Sequence, residues 1–70
     1  MKELIHNKVC DLRTRKGITQ EALADAIGIT RQTVIAIEKG NYTPSVMLAL
    51  KIAEFFNVPV ENIFSIHHEK

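Results

Sequence analysis

Apolar residues recur at α-helical spacing along most of the chain, and alternating patterns typical of strands never exceed a few residues. Ile5, Val9 and Leu12 stand at i, i+4 and i+7, and they predict an amphipathic helix over residues 3–16. The same pattern predicts further helices over residues 20–27, 31–39, 46–56 and about 60–64. Residues 65–70 are expected to form a short tail. The prediction is therefore an all-α domain of five helices.

Capping residues set the ends of these predicted helices. Three helices are preceded by a side chain that can accept a hydrogen bond from the first free amides: Thr19, Thr30 and Ser45. Three are followed by a glycine, the residue that most readily ends a helix with positive φ: Gly17, Gly28 and Gly40. A loop is expected after the third helix, because Pro44 cannot lie inside a helix.

The second and third predicted helices are separated by only three residues. The small and apolar positions around this connection run Gln20-x3-Ala24-x3-Gly28-x5-Val34-x2-Ile37. Ala24 is small enough for the third helix to cross closely, and Gly28 accommodates a sharp turn. Val34 and Ile37 anchor the third helix to the core. The spacing predicts a helix-turn-helix motif over about residues 19–40, whose second helix enters the major groove of DNA.

Short segments spread over about residues 5–64 resemble one known family. They are Arg13, Gly17-Ile18-Thr19-Gln20, Leu23-Ala24, Gly28-Ile29-Thr30, Thr33-Val34, Ile37-Glu38-Lys39-Gly40, Pro44, Leu50-x-Ile52-Ala53 and Phe56-x-Val58. The chain is similar here to the lambda-repressor/Cro-type helix-turn-helix transcriptional regulators, also called the xenobiotic-response-element family. The resemblance implies a five-helix DNA-binding domain of a prokaryotic or phage regulator, acting as a dimer on a two-fold operator. It also implies a part-buried ion pair between Arg13 and Glu38.

The third predicted helix has an inner and an outer side, because successive residues are about 100° apart. The inner side carries Val34, Ile37 and Glu38, and the outer side carries Gln32, Ala36 and Lys39, with Ile35 at its margin. Arg31, at the helix start, can donate two hydrogen bonds to guanine, and Gln32 can pair with adenine in the same way. Ile35 or Ala36 can contact a thymine methyl group. These four residues are the predicted base contacts.

Predicted phosphate contacts flank the base contacts and are polar or cationic: Gln20, Thr30, Thr33, Lys39 and Asn41. By the resemblance, Gln20 and the early residues of the third helix are the usual contact positions of the family. Plainer interpretations remain open at this stage. Arg31 and Gln32 can be a solvated helix start, Lys39 a cation that stabilises a helix end, and Ile35 a tolerated surface residue.

The charge and the cysteine and histidine content exclude several classes of site. The chain has nine Lys and Arg and eight Asp and Glu, which gives a net charge of only +1. DNA binding would therefore depend on local clusters of cations rather than on the net charge. Cys10 stands alone, which excludes an intrachain disulfide and a cysteine-only zinc site. The three histidines, His6, His67 and His68, have no Cys or carboxylate at ligand spacing, so no metal and no cofactor is expected. With no catalytic constellation either, the chain is not expected to be an enzyme.

The 70 residues are expected to form a single domain over 1–70. The longest apolar run is five residues, over 46–50, which is too short for the roughly 20 of a membrane helix. No signal-peptide pattern opens the chain. We therefore expect a cytoplasmic protein without a membrane partner.

The fourth predicted helix is apolar over most of its circumference, which indicates burial nearly all round. A chain this short can hardly cover both of its apolar stripes. We therefore expect a dimer interface formed by Phe55, Ile63 and Ile66. The alternative is that these three side chains fill the monomer core.

These patterns together predict a sequence-specific double-stranded DNA-binding protein. We expect a transcriptional regulator, in particular a repressor, that binds a near-palindromic operator as a homodimer and shows no evident small-molecule effector. Two alternatives remain open: an antitoxin or restriction-modification controller, and a helical protein-interaction module that has kept the fold without DNA binding.

Overall fold

The computed structural model describes the backbone of residues 2–69 and the side chains of residues 5–66. Its elements in chain order are β1 (Lys2–Asn7), α1 (Val9–Lys16), α2 (Gln20–Ile27), α3 (Arg31–Lys39), α4 (Val46–Phe56), a 3-10 helix (Val60–Asn62) and β2 (Phe64–Glu69). The fold is mostly helical, with four α-helices and a small two-stranded sheet.

The predicted bounds of α2, α3 and α4 are confirmed, and their caps explain why. The hydroxyl oxygens of Thr19, Thr30 and Ser45 accept hydrogen bonds from amides three residues further on, at 3.0, 3.2 and 3.2 Å. Each oxygen satisfies one of the amides that lack a partner at a helix start. Gly28 ends α2 at φ 76°, a conformation that side-chain-bearing residues rarely adopt.

The prediction of a first helix over residues 3–16 is wrong in its first half. Residues Lys2–Asn7 form a strand, and the helix begins at Val9. Ile5 pairs with Ile66 on β2, and β-branched side chains favour such cross-strand pairs. Asn7 Oδ1 accepts a hydrogen bond from the Val9 amide at 3.1 Å, which fixes the helix start there. Ile5 fitted the helical spacing only by coincidence.

The predicted fifth helix and tail are also corrected. Only Val60–Asn62 is helical, as one 3-10 turn, with the Ile63 amide donating to the Val60 carbonyl at 3.0 Å. Residues Phe64–Glu69 then run antiparallel to β1 rather than forming a tail. The amide of Lys8 donates to the Ile63 carbonyl at 2.9 Å, just beyond the end of the sheet where Asn7 pairs with Phe64.

The core lies between the four helices and the 3-10 turn. Its buried members are Val9, Leu23, Ala24, Ile27, Val34, Ile37, Leu48, Ile52, Ala53 and Ile63. Ala24 lies in this core, where α2 and α3 pack together, as the spacing of the motif predicts. Packing on Val34 and Ile37 fixes which side of α3 faces outward.

Candidate nucleic-acid interface

Helix α3 presents one side to the protein core and the other to solvent. Val34 and Ile37 are each 1% exposed, and the Glu38 side chain is 7% exposed. The three residues assigned to the inner side are therefore on it. The opposite side is free for a partner molecule.

The outer side of α3 carries cationic and amide groups without an acidic residue. Arg31, Gln32 and Lys39 are exposed, whereas Ile35 and Ala36 are half-buried. Within the described part of the chain, no hydrogen bond or ion pair holds the Arg31 guanidinium, which leaves its donors available. The most reachable of the predicted base contacts are therefore at the start of the helix.

The first turns of α2 and α3 line one cleft. Gln20 at the start of α2 and Arg31 at the start of α3 both border it, together with Glu21 and Asp25. Free amides at helix starts attract anions, which favours a phosphate near Gln20. The exposed carboxylates of Glu21 and Asp25 border the same cleft, and their negative charge opposes an anion close to them.

Glu38 holds the last turn of α3 against α1 and α2. Arg13 Nε donates to Glu38 Oε2 at 2.7 Å, and Arg13 Nη2 donates to Oε1 at 3.4 Å. Gln20 Nε2 donates to the same Oε1 at 3.0 Å. The ion pair implied by the resemblance is thus present, and one carboxylate connects three helices.

The Arg13 guanidinium also donates from Nη1 to the Ile18 carbonyl at 2.9 Å, in the connection between α1 and α2. Its hydrogen bond to the Glu38 carboxylate raises the pKa of Arg13 above its usual value. Arg13 therefore keeps its charge at every ordinary pH. The electrostatic support of α3 does not depend on a titration of this group.

The phosphate contacts predicted for Gln20, Thr30 and Thr33 involve groups that already have internal partners. Gln20 uses one of its two amide hydrogens on Glu38, and the other remains. The Thr30 and Thr33 hydroxyls lie 2.9 Å apart, so one donates to the other and one hydroxyl hydrogen remains for a partner. Lys39 and Asn41, at the far end of α3, are exposed.

Comparison with known proteins agrees with this geometry. The model of the helix-turn-helix family HTH_3 matches residues 11–63. The chain belongs to this helix-turn-helix family. Over 63 residues it is 52% identical to the HTH-type transcriptional regulator YgzD of Bacillus subtilis, covering 90% of this chain and 96% of that protein.

Two further relatives are informative. The chain is 34% identical over 62 residues to the cryptic phage CTXphi transcriptional repressor RstR of Vibrio cholerae, covering 89% of this chain and 56% of RstR. Its structure is similar to that of the restriction-modification controller protein C.AhdI from Aeromonas hydrophila, with a TM-score of 0.71 and 33% identity over 77% of this chain and 78% of that chain. This helix-turn-helix protein functions in DNA-binding transcription regulation.

The residues predicted to form a dimer interface do not share one surface. Ile63 is 2% exposed, so its assignment to an interface is wrong, and the alternative that it fills the core is correct for this residue. Phe55 is half-buried against the core, in an edge-to-face contact with Phe56 and 5.5 Å beneath Lys16 Nζ. Ile66 is exposed on the sheet.

A different exposed apolar surface lies at the start of α4. Val46, Met47 and Leu50 are 77%, 69% and 53% exposed. They line a shallow groove with Lys51 and Glu54. The sequence pattern showed that α4 is apolar nearly all round, but it could not show which stripe the monomer leaves uncovered.

Sequence reasoning also missed Asn7, which contacts both α1 and the end of α3. An asparagine two residues before a helix start was the available signal, because asparagine favours helix caps. In the part of the chain that the structure describes, no group of three or more His, Cys, Asp or Glu could hold a metal ion. No helix among these residues is long and apolar enough to span a membrane.

Proposed function

We propose that this helix-turn-helix protein represses transcription by binding a near-palindromic operator as a homodimer, with α3 in the major groove. One observation carries the proposal: the outer side of α3 is free of acidic groups, while its inner side is anchored by buried side chains and by Glu38. A helix held this firmly can present side chains to base edges in a reproducible position.

Base recognition is assigned to the outer side of α3. Arg31 donates two hydrogen bonds to a guanine edge, and Gln32 pairs with an adenine edge. The half-buried Ile35 and Ala36 lie in the middle of the helix. An apolar side chain cannot form a hydrogen bond with a base, but it can pack against the methyl group of thymine. We therefore assign a thymine contact to one of these two residues.

Phosphate contacts are assigned to both ends of the motif. At one end lie Gln20 and the hydroxyls of Thr30 and Thr33, close to the free amides of two helix starts. At the other end lie the Lys39 ammonium group and Asn41. Such contacts fix the register of the protein on the duplex without reading its sequence.

The dimer interface is assigned to the exposed start of α4 rather than to Phe55 and Ile63. Met47 and Leu50 form its apolar centre, because exposed apolar side chains gain most from burial against a second copy. A two-fold interface places the same surface on both sides. Lys51 of one copy can then approach Glu54 of the other, which matches charge across the groove.

A restriction-modification controller is the second candidate role, favoured by the structural similarity to C.AhdI. Both roles use the same DNA-binding surface of the protein, and we propose that it acts in the cytoplasm. The test of DNA recognition is selection of bound sequences from a pool of random duplexes. We expect enrichment of one near-palindrome. Recovery of a sequence-independent pool would refute recognition and favour a protein-interaction module.

A further inference from the structure

The side chain of Asn7 bridges two elements that are far apart in sequence. Its Nδ2 donates to the Ile37 carbonyl at 2.9 Å, across 30 residues of chain. Its Oδ1 accepts from the Val9 amide at 3.1 Å. A carbonyl can only accept and a backbone amide can only donate, so these two partners determine the orientation of the Asn7 amide.

Both partners of Asn7 lie at helix ends. Val9 opens α1, and the N-cap residue Lys8 makes no side-chain hydrogen bond there. Ile37 lies in the last turn of α3, where carbonyl groups have no amide of the next turn to bind. Gly40 supplies one donor to the Ile37 carbonyl at 3.0 Å, and Asn7 supplies a second.

Asn7 and Arg13 bind two adjacent residues of α3, Ile37 and Glu38. Asn7, just before α1, binds the backbone of Ile37, while Arg13, inside α1, binds the side chain of Glu38. The buried side chains of Val34 and Ile37 already pack α3 onto the core, and these two attachments add directional bonds at its last turn. One attachment is to backbone and the other to a side chain, so together with the core packing they restrain both the position and the rotation of the last turn.

We propose that Asn7 is a positioning residue for DNA recognition, which locks the recognition helix α3 to the β1–α1 junction. The inference rests on the proposed function of α3. Asn7 does not itself touch DNA and acts through the orientation of α3. Sequence discrimination should depend on it more than general affinity does, because base contacts demand tighter alignment than phosphate contacts.

The main test is Asn7→Asp, which keeps the shape and the acceptor for the Val9 amide but loses the donor to Ile37. Lys8→Gln is the matched control, since it changes the charge by the same amount at the next, exposed residue. The probes are a duplex recovered by selection from a random pool and a random-sequence duplex of equal length. We expect the ratio of the two affinities to fall about tenfold in Asn7→Asp, the equivalent of one lost base contact, and to be unchanged in Lys8→Gln.

A neutral variant, Asn7→Ser, removes the amide donor without adding charge, and Ser45→Ala is its control because it also deletes one capping hydrogen bond, in α4. Amide NMR shifts of the DNA-free Asn7→Ser variant should differ from wild type at Ile37–Asn41, and those of Ser45→Ala should not.

Discrimination between the two duplexes equal to that of wild type in both Asn7 variants would overturn the proposal. So would the unfolding of both variants under conditions where Ser45→Ala is folded, because Asn7 would then be required for the fold itself. A wild type that does not discriminate would instead refute the proposed function, while the NMR comparison would still test the attachment.

Discussion

Replacing Arg13 with methionine would leave the Glu38 carboxylate shielded from water and without its cation. The two side chains are only 16% and 7% exposed, so solvent cannot take the place of the guanidinium. Removing one partner of a buried ion pair costs about 3–5 kcal/mol. Because Gln20 still donates to Glu38, we expect a loss near the lower limit, about 3 kcal/mol. This is a large part of the roughly 3.5–10 kcal/mol that stabilises a domain of this length, and corresponds to a fall in Tm of about 12–24 °C.

Urea unfolding followed by circular dichroism measures this loss. The proteins compared are wild type, Arg13→Met, Glu38→Leu and the double variant. Arg15→Met is the control, because Arg15 is an exposed cation on the same helix as Arg13. The double variant should be more stable than Arg13→Met, since no unpaired charge remains. Arg15→Met should stay within about 0.5 kcal/mol of wild type.

The difference in the free energy of unfolding between wild type and Arg13→Met should be constant from about pH 7 to about pH 9, because this range lies well below the pKa at which an arginine loses its proton. The raised pKa of Arg13 means that its contribution is complete below the unfolded value and is lost only as the pH rises through the higher folded value. A loss below about 1 kcal/mol for Arg13→Met, as is usual for exposed ion pairs, would show that Glu38 does not depend on Arg13 for its charge compensation.

The DNA interface and the dimer surface can be tested by binding and sedimentation. Affinity for duplex DNA should fall steeply with salt, with a log–log slope of about −4 to −7 if a dimer neutralises about four to eight phosphates, and a flat response would contradict the interface. Arg31→Ala or Gln32→Ala should reduce discrimination of the selected duplex over random duplex by about 1–3 kcal/mol, whereas an unchanged ratio would remove the base assignment. Lys39→Ala should weaken binding to both duplexes alike and make the salt slope about one phosphate less steep, and a loss confined to the selected duplex would indicate a base contact. Leu50→Glu should yield folded monomers in sedimentation, and a variant that sediments like a dimeric wild type would locate the interface elsewhere.

Local signals made the central helices predictable. Thr19, Thr30 and Ser45 cap their helices through hydrogen bonds that span three residues, so the information is contained in a few adjacent positions. The turn at Gly28 is equally local, because positive φ is a property of one residue. The anchored and exposed sides of α3 then follow from helical periodicity alone.

The two strands could not be predicted from local patterns. Ile5 and Ile66 pair across almost the whole chain, and neither segment alternates long enough to indicate a strand. A short strand depends on its partner, because its backbone groups must find hydrogen bonds there. The helical interpretation of residues 3–8 failed because these residues bind the other end of the chain.

For the candidate site, helical periodicity predicts which side chains of α3 are exposed. It does not predict which residues of other helices they contact. The exposure of Arg31 and Lys39 follows from periodicity, whereas the hydrogen bond from Gln20 to Glu38 requires the crossing of two helices. The burial of Ile63 depends on the 3-10 turn that precedes it. Such contacts depend on how different helices and turns pack together. The spacing of residues within one helix carries no information about that packing.

Amide NMR mapping can show whether the exposed side of α3 reads DNA. Labelled protein is titrated with the duplex recovered by selection, and then with a random duplex. We expect the largest shifts at Arg31–Lys39 and at the start of α2 with the selected duplex, and smaller shifts with random DNA. Shifts confined to the sheet or to α4, with Arg31 and Gln32 unchanged, would contradict this role of α3.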